Sequence, residues 1–303
     1  MSARALLAST LALPLAACMT DFTTAPPDPA DRIDHFPKSA LAEACEEWDE
    51  WDKPAPPARI HGGTYYVGTC GIAAILITTA EGHILIDSGT EAGADHIAAN
   101  IEKLGFSLRH VTTLTHSHEH HDHVGGMARM KERTGAKLVA SEAAAPVFAT
   151  GTLAADDPQA GMHDPFPIAT VEETIADLQT LELGGLVLYA LATPGHSPGA
   201  MSWTWTECQD DDCLAIVYAD SLSPVSRDDY RFSDHPDTVA AFRRSLDTIA
   251  ALECDVLLTP HPSASDMLDR FAGETPLIDR SACTAYADKM RARLDERLAK
   301  EAQ

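Results

Sequence analysis

The chain has 303 residues, 45 % of them hydrophobic and 22 % charged, the proportions of an ordinary globular protein with ample material for a core. Its 46 acidic and 22 basic side chains leave a formal net charge of −24. So negative a surface repels phosphate backbones, which argues against nucleic acid as a partner and reads as a solubilising surface.

The N-terminus reads as a targeting segment. Residues 1–17, "MSARALLASTLALPLAA", carry one positive charge at Arg4 and an apolar run from Ala5 to Leu15. That run is too short to cross a bilayer as a helix and has the length of a secretory core. The ending Leu15-Ala16-Ala17-Cys18 resembles a bacterial lipobox, in which the cysteine becomes the lipidated first residue. A periplasmic protein tethered by a lipid on Cys18 is the expectation, with a soluble periplasmic protein as the alternative. Residues 18–57, rich in Pro, Asp and Glu, read as a surface arm or linker. A single domain follows over residues 58–303.

Within it, "TYYVGTCGIAAILITT" and "HILIDSG" read as consecutive strands, with Glu81-Gly82 as a turn. "EAGADHIAANIEKLG" has helical spacing at Ile97, Ile101 and Leu104 and closes at Gly105. "HVTTLT" is a further strand, followed by "KLVA", a hairpin in "LQTLELGGLVLYAL", then "MSWTWT", "LAIVYADS" and "DVLLTPH". "DTVAAFRRSLDTIAAL" and a C-terminal segment with Tyr286, Met290, Leu294 and Leu298 at i, i+4 predict helices. Strands with helices inserted at intervals argue for a layered α/β domain. The stretch from Thr150 to Thr170 shows no periodicity, as binding-site loops often do.

Export places the cysteines in an oxidising compartment. Besides Cys18 there are six: Cys45, Cys70, Cys208, Cys213, Cys254 and Cys283. Their even number suggests disulfides, and none has metal-knuckle spacing. Cys208 and Cys213 flank "QDDD" between two strands, a hairpin loop short enough to bring them within bridging distance.

The stretch "THSHEHHDHVGG", Thr115 to Gly126, holds five histidines. Alternation along an extended chain predicts that His116, His118 and His120 share one side, with His116 structural rather than ligating. Imidazole and carboxylate are first-choice zinc ligands, and His118, His120, Asp122 and His123 offer more donors than one tetrahedral ion takes from a single loop. Two ions fit better, each completed from elsewhere. "TPGHSPG" supplies His196 and "LLTPHPSAS" supplies His261, each after a strand. The metalloprotease pattern HExxH fails, because Asp122 stands where its second histidine belongs. His121 lies between ligands and points to a neighbouring layer or the substrate cleft.

His118-x-His120-x-Asp122-His123, with "LIDSG" upstream and "TPGHSPG" downstream, resembles the metallo-β-lactamase superfamily pattern, over a stretch from about Gly63 to the C-terminus. "YYVGTCG", "GHILIDSG", "MSWTW", "YADSLS" and "LLTPHPSAS" resemble its subclass B3 in particular. The resemblance implies an αββα sandwich, two facing mixed β-sheets with outer helices. It implies two zinc ions (Zn2+) per chain, the first on His118, His120 and His196, the second on Asp122, His123 and His261. Ser221 is implied beside the second ion, Ser223 at the substrate carboxylate, and Asp87 as a supporting aspartate that is not a ligand. His121, Gln159 and His163 are candidates for substrate contact. Cys254–Cys283 matches a disulfide common in the subclass, and Cys45–Cys70 and Cys208–Cys213 match bridges in some members.

The activity implied is hydrolysis of the β-lactam amide of penicillins, cephalosporins and carbapenems. Zinc lowers the pKa of water to roughly 7, so a hydroxide is at hand without a protein base, and Asp122 orients it. No acyl-enzyme is required, and the chain has no SxxK. One scaffold hosts many chemistries. The rival enzyme is a lactonase or a glyoxalase-II-like thioesterase, which uses a bridging aspartate one residue from Asp220, where Ser221 is placed. The non-enzymatic rival is a zinc-sequestering lipoprotein. A monomer is expected.

Overall fold

The computed structural model of the protein describes residues 36–46 and 48–303. The targeting segment and Cys18 lie outside the described residues.

Two sheets face each other. The first has seven strands in sequence order: β1 (Ala58–His61), β2 (Thr64–Tyr66), β3 (Ile75–Thr79), β4 (Gly82–Ile86), β5 (Val111–Thr115), β6 (Lys137–Ser141) and β7 (Glu173–Ile175). The strands β1 to β4 form an antiparallel meander, and β4 to β7 run parallel. The second sheet has the order β12-β11-β10-β9-β8, from β8 (Thr180–Leu183), β9 (Leu186–Ala192), β10 (Met201–Gln209), β11 (Asp212–Tyr218) and β12 (Val256–Leu258). Here β12 pairs parallel with β11, and the other neighbours are antiparallel.

The alternation of side chains fixes the layers. Ile75, Ile77, Ile84 and Ile86 of the first sheet meet Trp203, Trp205, Ile216, Tyr218, Val256 and Leu258 of the second in one buried cluster. The residues between them turn outward. Leu76 and Leu85 join Ile97 and Ile101 of helix α2 (Gly93–Lys103) and Met127 and Met130 of α4 (Met127–Thr134). Val217 and Leu257 join Phe242, Leu246 and Ile249 of α6 (Pro236–Ala250) and Tyr286, Met290 and Leu294 of α8 (Ala282–Glu301). Strands covered on both faces read as continuous apolar runs, as "AAILI" does. Each large apolar side chain so buried contributes about 1.5–3 kcal/mol. This is the αββα sandwich that the resemblance implied.

Short elements departed from the sequence reading. The run "TYYVGTCGIAAILITT" is interrupted between β2 and β3, where Val67 N bonds Ala74 O and Thr69 N bonds Ile72 O to close a tight loop. The arm is not all linker: α1 (Lys38–Ala44) forms in it, buries Leu41, and is followed by a disulfide from Cys45 to Cys70. With seven residues and one buried side chain, α1 carries too little periodicity to be read. α5 (Ala145–Thr150) and β7 were missed for the same reason of length. Disulfides also join Cys208 to Cys213, directly paired in the hairpin of β10 and β11, and Cys254 to Cys283. α7 (Met267–Ala272) adds Met267, Leu268 and Phe271 to the buried cluster between the sheets.

Candidate metal centre

Strands β4 and β5 run parallel, and so do β9 and β11, both antiparallel to β10, and β12, which pairs parallel with β11. Each of the five therefore delivers its C-terminal end to one edge of the sandwich. Asp87 follows β4, the histidine stretch follows β5, His196 follows β9, Asp220 to Ser223 follow β11, and His261 follows β12. Open edges of this kind, at the carboxyl ends of parallel strands, are where ligands bind in layered α/β folds.

The stretch after β5 is held by Asp87, which adopts a left-handed backbone (φ 66°). Its carboxylate accepts from Ser117 N at 2.6 Å, Ser117 Oγ at 2.7 Å and Tyr218 Oη at 2.7 Å. The chain then turns at His120 into α3 (His121–Val124). His116 does not share the side of His118 and His120. Its Nε2 accepts from Ser141 N at 3.0 Å and its ring meets Phe148, because β5 has already ended at Thr115 and strict alternation no longer applies.

His118, His120 and His196 bring one ligand atom each into a buried group, as do His118, Asp122 and His123. His261 joins the second set: its Nε2 stands 3.2 Å from His123 Nε2 and 3.3 Å from Asp122 Oδ2, and His123 Nε2 stands 3.1 Å from Asp122 Oδ2. Donors about 2.0–2.1 Å from a tetrahedral zinc lie about 3.3 Å from one another, so this triangle has the dimensions of a zinc ligand set.

In His118, His120 and His196 a second ring nitrogen is anchored. His118 Nδ1 meets Asp220 Oδ1 at 2.7 Å, His120 Nε2 meets the Asp157 carboxylate at 3.1 Å, and His196 Nδ1 donates to Ser223 O at 2.8 Å. His123 Nδ1 faces Asp87 Oδ2 at 3.6 Å. Anchoring one ring nitrogen fixes the tautomer and leaves the opposite lone pair for a metal. His118 Nε2, buried and without a hydrogen-bond partner among the described residues, is such a lone pair.

Burial, then the charge of neighbouring imidazoles, holds His118 and His196 well below the ordinary histidine pKa, so both are neutral and ligand-competent. Burial works in the same direction on His123 but is outweighed by Asp122 and Asp87, which raise it to about 10. A metal held by His123 would displace that proton. Burial also pushes Asp220 up to about 8. The donor set and its anchors fit divalent metal. Cys45, Cys70 and Asp49 also gather, but the two sulfurs are bonded to each other.

Above the donors opens a cleft of about 280 Å³ lined by His120, Asp122, His196 and His261, by Gln159, and by Ser221 and Ser223. Trp51 from the arm and Arg293 from α8 complete its walls. The Ser221 hydroxyl is buried and has no partner among the described residues, while Ser223 Oγ lies 3.3 Å from His196 Nδ1. Gln159 Nε2 lies 3.5 Å from His196 Nε2. His121 and His163 stack on each other at 4.5 Å beside Trp51, and line an adjoining pocket of about 250 Å³ under the long loop. They are thus one layer removed from the clustered donors.

Sequence reasoning missed Asp157, Glu119 and Trp51. Glu119 is buried and clamps the turn bearing His196, accepting from Ser197 Oγ at 2.7 Å and Gly199 N at 2.8 Å. Gly199 has to be glycine: a Cβ there would lie 2.8 Å from Glu119 Oε2 and from Ala144 Cβ. An acidic residue between two histidines was a usable signal for Glu119. Nothing local singles out Asp157 or Trp51.

A layered sandwich with a histidine-rich site at this edge defines a metal-dependent class. The family model described as the metallo-β-lactamase superfamily matches residues 67–261, and the chain belongs to that family. Among solved structures it is similar to the MIM-2 metallo-β-lactamase, 55 % identical with a TM-score of 0.84, covering 87 % of this chain and 98 % of that one. It is similar to the metallo-β-lactamase MIM-1 from Novosphingobium pentaromativorans, 48 % identical with a TM-score of 0.85 over 87 % of this chain and 98 % of that one. MEM-A1, a subclass B3 metallo-β-lactamase from a soil metagenome library, is 39 % identical with a TM-score of 0.80, covering 84 % and 99 %. The chain spans about half the length of the curated relatives it matches. One is a hydroxyacylglutathione hydrolase of Bradyrhizobium sp. (strain ORS 278), 28 % identical over 152 residues and covering 48 % of each chain.

Proposed function

We propose that the protein hydrolyses the β-lactam amide bond of penicillins, cephalosporins and carbapenems with two zinc ions, and so confers resistance to them. His118, His120 and His196 hold the first ion, and Asp122, His123 and His261 the second. The observation that carries the reading is the clustering of these six residues at one open cleft, which His120, Asp122, His196 and His261 line, with each histidine of the first set anchored through its other nitrogen. The match to metallo-β-lactamase structures along nearly their whole length supports the substrate class.

Bound zinc supplies Lewis acidity and lowers the pKa of water toward neutrality. The chain's residues do the rest. Asp122, with its carboxylate held among His123 and His261, orients the attacking water. Ser223 receives the substrate carboxylate, Ser221 stands beside the second site, and Gln159, which lines the same cleft, contacts the substrate. His121 and His163, together with Gln159, line the pocket under the loop. No serine is needed as nucleophile.

A thioesterase is the second reading, favoured by the hydroxyacylglutathione hydrolases among the relatives. It requires a carboxylate between the two ions. Asp220 Oδ1 is instead engaged behind His118, and Ser221 faces the cleft. A zinc-sequestering protein would leave no room for substrate above its ligands, whereas here the cleft stands open. Assaying the purified protein on a chromogenic cephalosporin, a carbapenem, a lactone and a glutathione thioester separates the three. The β-lactams are expected to be cleaved in a chelator-sensitive way; turnover of the thioester alone would overturn the proposal. Periplasmic location, a lipid on Cys18 and a monomeric state belong to the same proposal. They are checked by fractionation of cells carrying the wild-type chain or Cys18→Ala, and by light scattering.

A further inference from the structure

One carboxylate reaches the centre from the long loop. Asp157 is 0 % exposed, and its two oxygens stand 3.1 and 3.2 Å from His120 Nε2. Its Oδ1 also accepts from Gln159 N at 2.7 Å, and its backbone carbonyl accepts from Ala160 N at 3.1 Å and Arg227 Nη1 at 2.9 Å. Arg227 N in turn donates to Pro158 O at 3.0 Å. The loop apex is therefore fastened to His120, to its own turn and to the segment that follows Ser223. Two residues beyond Asp157, Gln159 sits in the cleft.

We propose that Asp157 is a positioning residue that holds His120 for the first ion and, through the same bond, makes the order of the loop apex depend on that ion. The inference rests on the ligand assignment under Proposed function. A carboxylate at Nε2 keeps the ring proton there, leaves the Nδ1 lone pair for metal and raises its basicity. A cation at Nδ1 withdraws electron density from the ring, which strengthens the charge-assisted bond from Nε2–H to Asp157. Coupling of this kind is reciprocal: what tightens the ion tightens the loop, and an ordered loop tightens the ion. Gln159 rides on that coupling, so this wall of the cleft is completed only with the first ion in place.

The test isolates each site. In a His261→Ala background, which disables the second site, zinc is titrated into the metal-free full chain against a chelating indicator. Asp157→Ala is expected to weaken binding about 10–100-fold, and Asp157→Asn, which keeps an acceptor oxygen without the charge, by less. In a His196→Ala background, binding at the second site is expected to be unchanged by Asp157→Ala. Hydrogen exchange supplies the loop readout: zinc is expected to slow amides of residues 154–163 in the parent and to leave them unaffected in Asp157→Ala. First-site affinity within about twofold of the parent, or zinc protection of the loop that survives the substitution, would overturn the proposal. Equal weakening of both sites would overturn it too, by showing a general loss of structure. Should the alanine variant not fold, Asp157→Asn carries the same comparison. A parent that binds no zinc would instead overturn the ligand assignment.

Discussion

Replacing Glu119 with alanine removes the clamp between the turn that carries His118 and His120 and the turn that carries His196. The side chain is buried and holds two donors, Ser197 Oγ at 2.7 Å and Gly199 N at 2.8 Å. Alanine leaves both without an acceptor, in a place water does not reach. Each buried donor left unpaired costs about 1–3 kcal/mol, so the expected destabilisation is about 2–6 kcal/mol, a large share of the roughly 5–15 kcal/mol by which domains are stable. Burial raises the Glu119 pKa against the two hydrogen bonds that lower it, so the carboxyl's cost in charge is partly relieved and the lower half of that range is the better expectation. Glutamine separates geometry from charge. Its carbonyl oxygen can accept from Gly199 N while its amide donates to Ser197 Oγ, so Glu119→Gln is expected to lie within about 1 kcal/mol of wild type. Urea unfolding of the zinc-loaded protein measures the stability, and kcat/KM on a carbapenem measures the displacement of His196, expected to cost about 10–100-fold in the alanine variant. Wild-type stability and turnover in Glu119→Ala would refute the clamp.

Asp122→Ala and His261→Ala each strip a donor from the second triangle and are expected to cripple turnover, read as kcat on a cephalosporin alongside zinc content by elemental analysis. Trp203 is fully buried between the sheets and donates from Nε1 to His116 O at 2.8 Å; Trp203→Ala is expected to cost about 3–5 kcal/mol in urea unfolding. Asp255 is held below its usual pKa of 3.8, first by the Ala215 amide and then by Arg280. A depressed folded-state pKa stabilises the fold above pH 3.8, and that contribution is lost as pH falls through the folded-state value. Asp255→Asn is therefore expected to be less stable than wild type at neutral pH, with the gap closing in acid; a gap that widens in acid would count against the assignment.

The sandwich was legible because its two inner faces write themselves as long apolar strands bounded by Gly and Asp, and its helices as i, i+4 stripes. The donors were legible because five histidines in one turn have few other physical uses, and because His196 and His261 each stand where a strand stops. The rest fails for identifiable reasons. Asp157 lies in a loop whose conformation comes from contacts distant in sequence, His120 and Arg227, so no local pattern marks it. His116 continues the alternation on paper, yet the strand ends at Thr115 and its ring goes to Phe148. Helix α1 and Trp51 lie in the arm on either side of Cys45, whose bridge to Cys70 spacing alone does not assign.

Adding zinc stepwise to the metal-free chain while following carbapenem hydrolysis, with bound metal counted at each step, tests the account's centre directly. The expected result is no hydrolysis without metal and full activity only as the bound metal reaches two ions per chain. Complete hydrolysis by a preparation free of transition metal, or saturation of binding with no β-lactam cleaved, would contradict it.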